Sequence, residues 1–85
     1  APVNQGLTKL ANLFTESVIS MEQAMNILVV KTYPGTANTA CLFLDNINLP
    51  HIVGTLAGDD TFIIIAKTIE DVTVIYNKLK EYVRN

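Results

Sequence analysis

The sequence predicts an α+β fold in two layers: a mostly antiparallel four-stranded sheet with two helices on one face (ββαββα), preceded by a short N-terminal helix. Three observations predict it. Two β-branched runs, Asn26 to Thr32 and Thr61 to Lys67, are too apolar for exposed surface. Two stretches carry apolar residues at helical spacing. Between them, Gly54-Thr55-Leu56-Ala57-Gly58-Asp59-Asp60-Thr61 joins two apolar runs through a glycine-marked reversal. Gly58 is expected to supply a positive φ for a tight hairpin, which puts Asp59 and Asp60 at an exposed tip.

Each element follows in chain order. Leu7, Leu10, Ala11 and Phe14 repeat at i, i+3, i+4, i+7, the mark of an amphipathic entry helix. Ser17 to Ser20 is a weak strand candidate, and Met21 to Met25 reads as the connection to the strong strand that follows. Tyr33-Pro34-Gly35 ends that strand, because proline lacks the amide a ladder needs. Ala37, Ala40, Cys41, Leu44 and Asn48 then hold helical spacing, with Thr36 placed to cap the first turn. The segment Asn46 to Pro50 ends this helix, and His51 to Leu56 is the third strand. After the fourth strand, Thr68 and Asp71 form a capping-box pattern. Val72, Ile75, Tyr76, Leu79, Tyr82 and Val83 carry the last helix, with Lys78, Lys80 and Arg84 suited to its C-terminal end.

Composition narrows the function. The 85 residues make one small domain, 49% hydrophobic and only 16% charged, which leaves apolar surface that a core of this size cannot absorb. With both helices on one sheet face, the other face is expected to be covered by further copies of the chain. A net charge of −2 argues against this segment itself gripping nucleic acid. Cys41 is the single cysteine, so no disulfide framework or zinc constellation is expected; it reads as a small buried hydrophobe in a reducing compartment. No apolar run approaches a membrane span and no basic-then-apolar leader opens the chain, so a cytoplasmic location and no membrane partner are expected. The loose start, Ala1-Pro2, fits either a processed native start or the cut end of a linker. His51 has no partner His or Cys near it and reads as structural or exposed.

Pro34-Gly35-Thr36-Ala37-Asn38, then Leu44-Asp45-Asn46, then Gly54 to Thr61, in this order and spacing, resemble the C-terminal domain of bacterial arginine repressors. The resemblance runs from about Val18 to Val83. It implies a non-enzymatic regulator of arginine metabolism, with no catalytic residue, metal or cofactor other than L-arginine as co-repressor. It further implies trimers that stack in pairs as hexamers, with L-arginine at the trimer–trimer interface. DNA is then contacted only through a preceding winged helix-turn-helix domain that this chain lacks. On this reading residues 1–14 are linker and short helix, and residues 15–85 are the arginine-binding oligomerisation domain.

Carried over residue by residue, the resemblance implies a site made of Asn38 and Asp45 from the helix, Thr55 and Ala57 from the third strand, and Asp59 with Asp60 from the tip. The chemistry is coherent, since free arginine offers a planar guanidinium, an ammonium and a carboxylate, and a carboxylate can take the guanidinium bidentately. Asn38 departs from the family's usual Gln and is one methylene shorter. Taken alone, Asp59 and Asp60 also read as turn formers, Asp45 as a solvated helix residue and Thr55 as an ordinary strand residue. Two other functions fit parts of the pattern: a magnesium site on the paired carboxylates for phosphoryl transfer, and an amino-acid-sensing module of a metabolic enzyme. The first lacks any phosphate-cradling loop or basic cluster.

Overall fold

The computed structural model describes residues 5–47, 49 and 51–83. Its elements run α1 (Gln5–Ser17), β1 (Val18–Ala24), β2 (Ile27–Thr32), α2 (Ala37–Leu44), β3 (Ile52–Ala57), β4 (Thr61–Ala66) and α3 (Ile69–Lys80). The four strands form one sheet in the order β1-β2-β4-β3, every neighbouring pair antiparallel. This is the α+β arrangement the sequence predicts.

All three helices lie on the same side. α3 packs over β1, β2 and β4, α2 over β2, β3 and β4, and α1 against α2. Strand alternation feeds that side with Leu28 and Val30 from β2 and Phe62, Ile64 and Ala66 from β4, all buried. Phe14 of α1 joins the helical layer to the sheet, its ring centroid 5.0 Å from Phe43 of α2 and 6.5 Å from Phe62. Each fully buried side chain of this kind contributes about 1.5–3 kcal/mol.

Among the described residues nothing covers the opposite side. Register places Ile27, Val29 and Lys31 of β2 opposite Ile65, Ile63 and Thr61 of β4, and Gly54 and Leu56 of β3 opposite Ile65 and Ile63. The outcome is an apolar patch centred on Val29 and Ile63, with Leu56 69% exposed at its margin. Ser20 and Glu22 of β1 continue the same face beyond it, paired with Lys31 and Val29. Both edge strands are irregular, β1 between Val18 and Ser20 and β3 between Ile52 and Gly54. Bulges of this kind discourage edge-to-edge pairing, so the face, not the edge, is the surface left for association.

Several boundaries differ from expectation. Met21 to Ala24 is strand rather than connection: Met21 packs on the core and Glu22 faces away, so pairing with β2 overrides the helical and loop preferences of these residues. Only Met25 and Asn26 remain as the hairpin loop. β3 begins at Ile52 because His51, exposed as expected, has φ 68°, a conformation no strand continues. α2 stops at Leu44, and Thr36 makes no side-chain cap; its hydroxyl donates to the Tyr33 carbonyl instead, at 2.7 Å. Thr68 does cap α3, accepting from the Asp71 amide at 3.0 Å. α3 ends at Lys80, and Tyr82 reaches the core from beyond it, its ring 4.9 Å from Phe43. Asn48, Pro50, Arg84, Ala1-Pro2 and the side chain of Leu7 lie outside the described residues.

Met25 carries a testable strain. Its φ is 57° and its side chain is 72% exposed, so the left-handed backbone costs energy that side-chain burial does not offset. Met25→Gly is expected to stabilise the fold by about 1 kcal/mol, measured as a higher urea midpoint at fixed protein concentration.

Candidate functional site at the acidic tip

The hairpin between β3 and β4 is closed by the Gly58 amide donating to the Thr61 carbonyl at 2.8 Å, which leaves Asp59 and Asp60 as its two central residues. Neither has a positive φ, and neither does Gly58. The expectation for Gly58 is therefore corrected: it occupies a flanking position of the turn, where no left-handed backbone is required.

This tip is held from outside the hairpin. The Asp59 carbonyl accepts from the Gly35 amide at 3.0 Å and from the Ala37 amide at 3.3 Å, and the Asp60 carbonyl accepts from the Thr32 amide at 2.8 Å. Three backbone bonds thus tie the tip to the end of β2 and the first turn of α2. Both Asp side chains remain exposed, with the Thr61 hydroxyl donating to the Asp60 carboxylate at 3.1 Å. Two adjacent carboxylates thus present negative charge on a backbone already fixed in place, which lowers the cost of reorganisation for any contact made there.

The donor side of these bonds is shaped by sequence chemistry. Tyr33-Pro34-Gly35-Thr36 is a type II turn, with proline at its second position, Gly35 at φ 81° in its third, and the Thr36 amide donating to the Tyr33 carbonyl at 3.2 Å. A methyl group on Gly35 would meet open space, so backbone conformation alone demands glycine. Gly35→Ala is expected to cost about 1–2 kcal/mol and to loosen the tip, visible as faster hydrogen exchange at the Gly35 and Ala37 amides.

Asn38 follows Ala37 directly and is exposed, so the tip and this amide share one corner of the molecule. Asp45, the C-cap of α2, is exposed at the other end, about 10 Å further along the axis for seven residues of helical rise. Between them, one turn from each, sits Cys41. Its thiol is pushed above its usual range, first by burial and further by the Asp45 charge, while the nearby Thr55 side chain acts in the opposite direction. Cys41 is therefore buried on α2 within reach of both Asp45 and Thr55. The sequence marks it only as a small core residue, and no sequence signal places it near Thr55.

Ala57, half-buried, is the last residue of β3 before the tip and pairs with Phe62. The six candidate residues thus fall on one edge of the molecule, along α2, β3 and the tip. Among the described residues that edge encloses no pocket, and no group of His, Cys, Asp and Glu there is arranged to hold a metal ion. Nor is any helix among them long and apolar enough to cross a membrane.

Comparison with known proteins identifies the family. The family model for the arginine repressor C-terminal domain matches residues 14–81. The chain is 45% identical over 76 residues to an arginine repressor of Clostridium tetani, covering 89% of this chain and 50% of that protein. It is 39% identical over 77 residues to one of Lachnospira eligens, covering 91% and 51%. A third, of Halothermothrix orenii, is 43% identical over 72 residues, covering 85% and 48%. The chain spans about half the length of the curated relatives it matches. On the strength of a match that takes in the sheet, α2, α3, the last turn of α1 and the acidic tip, the chain belongs to the arginine repressor family of transcription regulators, not of enzymes, through that family's C-terminal domain.

Proposed function

We propose that this chain is the effector-binding and oligomerisation domain of an arginine-dependent regulator of arginine biosynthesis and catabolism, working in the cytoplasm. It forms trimers through the uncovered sheet face, binds L-arginine along the α2, β3 and tip edge, and pairs trimers into hexamers there. DNA is gripped by a separate N-terminal domain.

The observation that carries this reading is the acidic tip. Asp59 and Asp60 present exposed carboxylates on a backbone pinned to α2, a surface suited to the guanidinium of arginine. The polar residues needed for the amino-acid end, Asn38, Asp45 and Thr55, line the same edge. A site left open on one chain is completed when a second copy is placed against it. In the unliganded assembly, converging tips bring like charges together and oppose pairing; bound guanidinium reverses that sign. By linkage, a ligand that binds the hexamer more tightly than the trimer must favour the hexamer.

Sedimentation of the chain with and without L-arginine tests this. Saturating arginine is expected to tighten the trimer–hexamer equilibrium at least tenfold, about 1.4 kcal/mol, well within common coupling energies. Equal dissociation constants in both conditions would remove the coupling even if calorimetry showed that arginine binds.

A further inference from the structure

Tyr33 stands where the tip is anchored. The amide before it, on Thr32, donates to the Asp60 carbonyl at 2.8 Å, and the amide two residues after it, on Gly35, donates to the Asp59 carbonyl at 3.0 Å. Its backbone lies between the two bonds that hold the carboxylate-bearing residues in place.

The ring of Tyr33 is also exposed and on a fixed base. Of the three tyrosines, Tyr76 carries the Lys80 ammonium 5.6 Å from its ring centroid and Tyr82 packs edge-on against Phe43. Among the described residues Tyr33 has no aromatic or cationic partner, and it is 56% exposed. Its own amide donates to the Ser17 carbonyl at 3.0 Å, and its carbonyl accepts from both the amide and the hydroxyl of Thr36. Pro34 further restricts Tyr33 to extended backbone. Only two side-chain torsions remain to be ordered when a ligand arrives, so contact with the ring carries a small entropic cost.

We propose that Tyr33 is a specificity-determining residue of the arginine site, its ring forming an aromatic wall against which the planar guanidinium lies while Asp59 and Asp60 take its N–H groups. This rests on the arginine-binding reading above and deepens it. A guanidinium satisfies both partners at once, because its edge donates to carboxylates while its face stacks on a π system. A compact ammonium has no such face.

Calorimetric titration of the 85-residue chain with L-arginine, for wild type, Y33L and Y33F, tests the proposal. Y33L keeps an apolar side chain and removes the π face, and arginine affinity is expected to fall about threefold to thirtyfold. Y33F keeps the ring and is expected to restore wild-type affinity to within about twofold. Circular dichroism and sedimentation of Y33L should match wild type, since the side chain is exposed. Equal arginine affinity in wild type and Y33L would overturn the proposal while leaving the acidic tip as the site. A loss in Y33F as large as in Y33L would overturn it too, by transferring the role to the hydroxyl. No binding of arginine by wild type would overturn the proposed function, and this inference with it.

Discussion

Asp60→Asn is expected to lower the affinity for L-arginine by about thirtyfold to several thousandfold, the 2–5 kcal/mol of a charge-assisted pair lost from a desolvated interface, and Asp59→Asn to do the same. The fold should not change. Asp59 and Asp60 contribute to the structure through their carbonyls, which accept from Gly35, Ala37 and Thr32, while their carboxylates are exposed. The substitution keeps the backbone bonds and removes only charge. Asp60→Asn should also weaken the dependence of hexamer formation on arginine, because there is less like-charge repulsion for the ligand to relieve. Titration calorimetry gives the affinity, and thermal unfolding at fixed concentration serves as the check on structure. Unchanged affinity in both variants would reduce the tip to a turn.

Ile63→Glu is expected to convert the proposed trimer to monomer at micromolar concentration while leaving the subunit folded. Ile63 lies opposite Val29 on one side and Leu56 on the other, at the centre of the uncovered sheet face. In the single chain that position borders solvent, so a charge there is tolerated. Buried in an interface, an unpaired carboxylate costs about 3–5 kcal/mol per site, enough to weaken association by a factor of several hundred or more. Val74→Glu is the control, since Val74 is 55% exposed on α3, on the helical side of the sheet, and its substitution should not alter the mass. Sedimentation velocity distinguishes the outcomes. A trimer that persists in Ile63→Glu would show that another surface holds the subunits together.

The two predictions separate two surfaces that composition presents together. An apolar excess says only that something must be covered. The sheet face is the surface suited to permanent cover, being continuous and apolar, whereas the α2, β3 and tip edge is polar, acidic and suited to reversible closure around a small cation.

Elements with strong periodicity were legible in the sequence. β2 and β4 announce themselves by unbroken β-branched runs, and α3 by its apolar spacing and the Thr68 cap, because these preferences are local and the tertiary structure agrees with them. The exposure of Asp59 and Asp60 was legible for the same reason: two adjacent carboxylates have no inexpensive place inside so small a core. The tertiary structure alone decided the rest. Met21 to Ala24 became strand only through pairing with β2, since its residues have no strand preference of their own. Gly58 proved ordinary and Gly35 special, because the tip is fixed by amides from residues more than twenty positions away rather than by a left-handed turn of its own. Cys41, spaced as a core residue, came to lie near Thr55 as well as Asp45 once α2 settled against β3. In each case the deciding interaction is between residues distant in sequence, and local propensity carries no record of a partner it does not adjoin.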